Sequence, residues 1–219
     1  MLEQLNLVKN KVNNIIQKKQ LKTSPKIIVV TKTFPLNNII PLLDSGHIHY
    51  GENKIQEAED KWHEIKNSYK NLQLHMIGKL QTNKAKKAIK LFDYIHSLDS
   101  SKLALKLSQH EKELNKKVKF FIQVNLANES QKSGINIKEL SKFYSYCVNE
   151  LSLNIIGLMC IPPQNLDSVN YFNDLNNLAK TFNLSNLSMG MSHDYIEAIN
   201  CGSTFVRIGE MIFGKRIIQ

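Results

Sequence analysis

Hydrophobic residues recur along this chain with two alternating periods. At the N-terminus Leu5, Val8, Val12, Ile15 and Ile16 fall at helical spacing, which predicts an amphipathic helix over residues 3–19. After Pro25, short apolar runs of strand type appear at 26–31 (KIIVVT), 47–50 (HIHY), 72–77 (LQLHMI), 93–98 (DYIHSL), 118–125 (VKFFIQVN), 153–160 (LNIIGLMC), 185–189 (SNLSM) and 203–208 (STFVRI). Between them the helical period returns over 36–45, 53–67, 81–90, 100–115, 138–150, 167–182 and 192–200. Strand and helix patterns that alternate in this way predict a parallel sheet covered by helices. A near-continuous apolar run such as FFIQV fits a strand buried on both faces. Eight such units in about 200 residues predict an α/β protein, a closed (β/α)8 TIM barrel with an extra N-terminal helix. An open doubly wound sheet is the alternative. It would usually carry a glycine-rich turn after its first strand, whereas here that strand runs into TKTFP. No linker or low-complexity stretch divides the chain, so one domain over residues 1–219 is expected.

A barrel of this kind carries its site at the C-terminal ends of the strands. The unusual residues gather there. Lys32 ends strand one, Gly51-Glu52-Asn53 strand two, Gly78 strand three and Asn125 strand five. MCIPP (159–163) ends strand six, Gly190-Met191-Ser192 strand seven, and Arg207-Ile208-Gly209-Glu210 strand eight. Singly, each reads as a turn glycine or a surface residue; together they share one rim. The loops after strands seven and eight are a common phosphate site in barrels. Ser192 and Gly209 each precede a predicted helix, whose first backbone N–H groups suit an anion; Ser192 could equally serve only as an N-cap. Lys32, after four apolar residues, is either a surface residue or an amine at the mouth of a pocket. A lysine across the mouth from a phosphate cradle suits a phosphorylated aldehyde or ketone held as a Schiff base. The amine must then be neutral to react, so its pKa must fall from ~10.4. Arg207 could reach a pyridine ring nitrogen, one of the pairings used for pyridoxal phosphate. Being permanently charged, it would disfavour protonation of that nitrogen and weaken the ring as an electron sink.

Composition narrows the choice of partner. The net charge is +10, but 27 of the 29 basic residues are lysine and only Arg207 and Arg216 are arginine. Asparagine occurs 24 times. An Arg-poor, Lys/Asn-rich surface lacks the bidentate contacts expected of a nucleic-acid site, and NKAKKAIK (83–90) reads as the solvated face of a helix. Cys147, Cys160 and Cys201 are far apart, form no metal spacing and sit in apolar contexts, so buried thiols are expected. The polar, periodic start lacks the apolar core of a signal peptide, and no window approaches a membrane span; a cytoplasmic protein is expected.

Seven segments together resemble the pyridoxal phosphate homeostasis protein family, relatives of the N-terminal barrel of bacterial alanine racemase. They are VVTKTFP, HYGENKIQEAEDK, LHMIGKLQTNK, IHSLDSSKLA, IQVNLANESQKSGI, GLMCIPP and LSMGMSHDYIEAINCGSTFVRIGEMIFGKR. The resemblance implies that Lys32 carries pyridoxal 5'-phosphate as an aldimine. By the same likeness Ser192 and Gly209 hold its phosphate with Met191 beside them, Arg207 faces the pyridine nitrogen and Asn53 lies near the cofactor. Ser133, in the loop after strand five, is expected to close the same mouth. Two positions depart from the family pattern. Glu210 stands where Thr or Ser usually follows the phosphate glycine; it is expected to turn outward and give only its backbone N–H, with lower phosphate affinity. Lys79 replaces the proline of an IGPLQ turn. His75 and His96 are expected to be satisfied by neighbouring hydrogen bonds. No metal is implied.

The role implied is buffering or delivery of pyridoxal phosphate by a monomer, with apoenzymes dependent on that cofactor as recipients, and no robust turnover. Alanine racemase needs a second domain that supplies a tyrosine base; this chain ends at Gln219, eleven residues past Ile208, and is expected to lack one. Without a second proton-transfer group, two-sided proton transfer has only Lys32 to use. The rival readings are a slow amino-acid racemase, a Schiff-base aldolase without cofactor, and a nucleic-acid binder driven by charge.

Overall fold

The computed structural model describes residues 1–22, 24–129, 131, 133–163 and 167–214. Its first helix, α1 (Leu2–Lys19), buries Leu5, Val8 and Val12 and leaves Ile15 and Ile16 half-covered at the edge of the core. The repeated units then follow: β1 (Lys26–Val30), α2 (Leu36–Asp44), β2 (His49–Glu52), α3 (Ile55–Trp62), β3 (Gln73–Met76), α4 (Ala85–Leu91), β4 (Tyr94–Leu98), α5 (Ser101–Leu114) and β5 (Lys119–Asn125). A two-residue strand, β6 (Ile135–Asn136), leads into α6 (Ile137–Ser145), and β7 (Asn154–Met159), α7 (Ser168–Thr181), β8 (Asn186–Met191), α8 (Tyr195–Asn200), β9 (Phe205–Ile208) and α9 (Glu210–Phe213) complete the order.

The sheet closes on itself. β1 pairs in parallel with β2 on one side and with β9 on the other, with Ile27 opposite Val206 and Val29 opposite Ile208. The remaining neighbours are β2–β3, β3–β4, β4–β5, β5–β7, β7–β8 and β8–β9, all parallel. This is an eight-stranded (β/α)8 barrel, with β6 added outside the ring on β5. Closure places alternate side chains of each strand inside and outside. Ile28, Tyr94, Phe121, Met159 and Phe205 meet inside, whereas Ile27, Val29, Leu74, Ile122 and Val206 pack outward under the helices. α1 lies against α8 and α9.

The helix starts follow local chemistry. Ser100, Asn136 and Asp167 accept from the backbone N–H of Leu103, Lys138 and Val169, capping α5, α6 and α7. Elsewhere the boundaries move from those the pattern predicts. β2 is His49–Glu52 rather than 47–50, because parallel pairing to both neighbours carries Gly51 and Glu52 into the sheet despite their poor strand propensity. α3 stops at Trp62, short of the predicted 53–67, and the chain continues in turns although Ile65 and Tyr69 keep the helical spacing and pack against the core. α8 begins only at Tyr195: the Asp194 carboxylate accepts from Met191 N–H at 2.6 Å and Asp194 N–H donates back to the Met191 carbonyl at 3.1 Å, so residues 191–194 form a turn. No helix among the described residues is long and apolar enough to cross a membrane.

Candidate functional site

The C-terminal mouth of the barrel holds two adjoining cavities. The first, about 230 Å³, is lined by Lys32, Asn53, Met191, Ser192, Arg207, Gly209 and Glu210 among others. The structure therefore gathers all seven of the cofactor-binding residues expected from sequence into one space. The second, about 410 Å³, shares Asn53, Ile77 and Ile161 with the first and runs beneath the loop after β5, where Ser133 and Gln123 line it. Ser133 thus belongs to the adjoining cavity, its carbonyl accepting from Gln123 Nε2 at 3.1 Å. Lys132 and Arg216 lie outside the described residues.

Lys32 stands half-buried on a turn that its neighbours fix on both sides. Thr31, fully buried and facing outward, donates its hydroxyl to Glu52 Oε1 at 2.6 Å and receives Lys61 Nζ on its carbonyl at 2.8 Å. Glu52 Oε1 also accepts from Lys61 Nζ and from Trp62 Nε1, both at 2.9 Å. Alternation along the strand then turns Lys32 toward the mouth. Beyond it, Thr33 adopts φ +69°, a left-handed conformation costly for a β-branched residue. Its N–H is bound by Glu57 Oε1, and Phe34 N–H closes the turn on the Thr31 carbonyl at 3.1 Å.

On the opposite wall, Ser192 does not cap α8. Its Oγ lies 3.3 Å from Gly209 N and 3.4 Å from Met211 N and accepts from both. The hydroxyl thus marks where N–H groups at the start of α9 converge, which is the geometry of an anion cradle. Gly190 lets the strand end reach this position. Its φ is +91°, and a Cβ there would fall 2.5 Å from the Ala198 Cβ. Glu210 is exposed and lines the edge of the cavity.

Arg207 is 4% exposed. Its Nη1 donates to Ser188 Oγ at 2.8 Å and its Nη2 to the Cys160 carbonyl at 3.0 Å. Burial draws its pKa down from the usual value, with Cys160 and Asp194 opposing that shift. On the neighbouring wall, Asn53 Oδ1 is buried without a hydrogen-bond partner among the described residues. Gly78 presses on the Asn53 backbone so closely that a Cβ would fall 2.4 Å from its carbonyl oxygen. Burial raises the thiols of Cys147 and Cys160 to about 12 and also raises that of Cys201, which is only half-buried.

Sequence reasoning missed the partners behind these residues. In the sequence Glu52 reads only as part of a strand end, and Lys61, Trp62 and Ser188 give no separate signal. A carboxylate at a strand end, ten residues before a tryptophan, is the one clue that could have found the first group. His75 and His96 are bonded to neighbouring side chains, as expected.

The family described as alanine racemase, N-terminal domain, matches residues 5–216. A pyridoxal phosphate homeostasis protein of Synechocystis is 38% identical over 206 residues, covering 90% of this chain and 94% of that one. Its counterpart in Haemophilus influenzae is 32% identical, covering 97% of this chain and 94% of the relative. Among solved structures, PipY of Synechococcus elongatus with pyridoxal phosphate bound superposes with a TM-score of 0.82 at 34% identity, covering 90% of this chain and 96% of that one. An alanine racemase of Clostridium difficile shares the fold at TM-score 0.73 and 14% identity, this chain covering 57% of its length.

Proposed function

We propose a function from one established premise: this chain belongs to the pyridoxal phosphate homeostasis proteins, within the family of the alanine racemase N-terminal domain. The proposal is that it binds pyridoxal 5'-phosphate reversibly, with Lys32 as the Schiff-base lysine, and serves in the buffering and delivery of that cofactor. The observation that carries it is the one cavity in which an amine, a convergent pair of backbone N–H groups, a buried guanidinium and a buried acceptor with no hydrogen-bond partner among the described residues meet. These residues fit the group. Pyridoxal phosphate supplies an aldehyde, which condenses with an amine to a C=N bond with loss of one water, a bond that water breaks again.

The chain's own residues do the rest. The clamp from Glu52 and Lys61 to Thr31 holds the lysine turn. Ser192, Gly209 and Met191 shape the phosphate end, and Asn53 stands beside the ring. With the cofactor held there, Arg207 would present a fixed cation to the ring nitrogen and so disfavour a proton on it. That choice weakens the electron sink on which racemisation depends, and it supports binding over turnover; the homeostasis naming of the relatives points the same way. A slow amino-acid racemase is the second reading, favoured by the shared fold. We further assign a monomer in the cytoplasm, with apoenzymes as recipients and with no specific nucleic-acid or membrane partner.

The test is the visible spectrum of the purified protein with pyridoxal phosphate added, beside Lys32→Ala. A yellow band in the parent that borohydride abolishes, and that the variant lacks, is expected. The same band in both proteins would remove Lys32 from its role. Exchange of an amino acid's α-hydrogen into deuterated water separates the readings: none above the free-cofactor rate is expected, and sustained exchange would make the protein an enzyme.

A further inference from the structure

Barrel interiors of this fold are filled mainly by bulky branched apolar side chains. Here the interior holds a line of imidazoles. His49 Nδ1 lies 3.0 Å from His75 Nε2, and His75 Nδ1 lies 2.9 Å from His96 Nε2. His96 Nδ1 lies 2.8 Å from Ser188 Oγ, the same oxygen that accepts from Arg207 Nη1. β2, β3, β4, β8 and β9 supply one member each. His75 stacks on Tyr94 and His96 on Phe121, each with ring centres 4.3 Å apart. His75, His96 and Ser188 are fully buried.

Bond direction along this line follows from its upper end. A guanidinium can only donate, so Ser188 Oγ must accept from it. The serine proton then has one remaining partner among the described residues, His96 Nδ1, which must be a bare acceptor. A neutral His96 therefore carries its proton on Nε2 and donates to His75 Nδ1; His75 in turn donates from Nε2 to His49 Nδ1. The reverse direction would leave the serine proton without a partner among the described residues. A second proton on any of these rings would set two donors against each other. The surrounding charges also oppose one: Lys26, Lys119 and His47 bear on His49, and Arg207 bears on His96. With burial they hold His49 at about 4, and His75 and His96 well below their usual value.

We propose that His96, with His75 and His49 behind it, are positioning residues for Arg207: a neutral line of uniform bond direction, ending on Ser188, that fixes the guanidinium against the cavity wall. Arg207 is a buried cation whose hydrogen-bond partners among the described residues, Ser188 and the Cys160 carbonyl, are both neutral. A serine that donates onward into a hydrogen-bond chain is a stronger acceptor than an isolated one. The line gives the cation such an acceptor without a carboxylate, which would compete for the guanidinium and pull it from the cavity. The link from Arg207 to a cofactor ring rests on the proposed function; the line itself does not.

The chain's two arginines and seven histidines make ¹⁵N nuclear magnetic resonance of the whole protein tractable. Without added ligand, His49, His75 and His96 are expected as neutral Nε2–H tautomers from pH 6 to 8, with Arg207 side-chain protons protected from exchange. A parent protein with mixed or Nδ1–H tautomers, or with any of the three titrating near 6.5, overturns the proposal. His96→Phe keeps the stack on Phe121 but breaks the line, and Ser188→Ala cuts it beside the arginine. Each is expected to speed Arg207 proton exchange about tenfold, the worth of one buried hydrogen bond, and Ser188→Ala to admit both tautomers at His96. Unchanged Arg207 exchange in a folded variant overturns the proposal, and should His96→Phe not fold, Ser188→Ala carries the same decision. Added pyridoxal phosphate should bind about tenfold more weakly to either variant, with a shifted pH profile of its visible band. Unchanged affinity with a loosened guanidinium would overturn the link to the cavity. A parent that shows no band at all would instead defeat the reading of function, and the resonance arm would still decide the line.

Discussion

Glu52 sets one carboxylate oxygen against three donors, Thr31, Lys61 and Trp62, while being itself fully buried. Lys61 has a side-chain exposure of 7% and, among the described residues, retains only Glu57 as a second anion. Removing one partner of a buried pair leaves the other uncompensated, which costs ~3 kcal/mol in comparable cases. Glu52→Gln is therefore expected to lower stability by about 2–4 kcal/mol in urea unfolding. Lys61→Met on the same background should recover part of that loss, and strictly additive losses would show that the pair is not coupled. At the other wall, Glu210 brings an exposed negative charge to the edge of the anion cradle. Repulsion at 4 Å in water is only ~1 kcal/mol. Glu210→Ser should thus tighten phosphate-dependent binding by about three- to fivefold, the gain shrinking in high salt; a titration of pyridoxal phosphate against absorbance at two ionic strengths checks both parts.

Among elements, the loop after β1 and the short helix α9 touch through Phe34 and Phe213, whose rings stack with centres 4.3 Å apart. This contact couples the lysine turn to the N–H groups that face Ser192. Phe34→Ala is expected to cost about 1 kcal/mol of stability, the worth of such a pair. It should weaken pyridoxal phosphate binding more than it lowers the melting temperature; equal binding would place the two loops outside any shared role. The elements were the most legible part of the sequence, because a buried parallel strand needs an unbroken apolar run and a covering helix needs a stripe. Where boundaries slipped, side chains had intervened, as Asp194 did in delaying α8. Lys32, Ser192, Arg207 and Gly209 could be read because strand ends share one rim once the barrel is inferred. The clamp on Thr31 and the line from His49 to Ser188 could not. They join β1 to α3 and β2 through β4 to β8, and such contacts exist only after strand register is set.

The whole molecule titrates through its interior. Burial lowers His47 and His49 to about 4 and places His75 and His96 well below the ordinary histidine value of 6.5. In the unfolded chain all four take a proton near 6.5; in the folded barrel they refuse it until the pH is far lower. Between those limits the unfolded state binds more protons, so stability rises with pH. The sign is thus fixed: stability is complete above pH 6.5 and is lost as the pH falls from there toward 4. Each histidine contributes at most about 1.4 kcal/mol per pH unit across its window. Equilibrium urea unfolding at half-unit steps from pH 7.5 to 5 should show a steep decline that begins near 6.5, before carboxylates with ordinary pKa values begin to titrate. His75→Phe removes one of these groups from a fully buried site, and its decline should be shallower by roughly one histidine's share. An unchanged slope in that variant would mean that the acid sensitivity arises elsewhere and that the barrel interior tolerates protonated imidazole. Because the folded barrel refuses these protons, the line that ends on the residue holding Arg207 should stay intact until the chain unfolds. Loss of Arg207 side-chain exchange protection is then expected to follow the unfolding midpoint as the pH falls, and a loss well above that midpoint would mean that the folded interior accepts a proton.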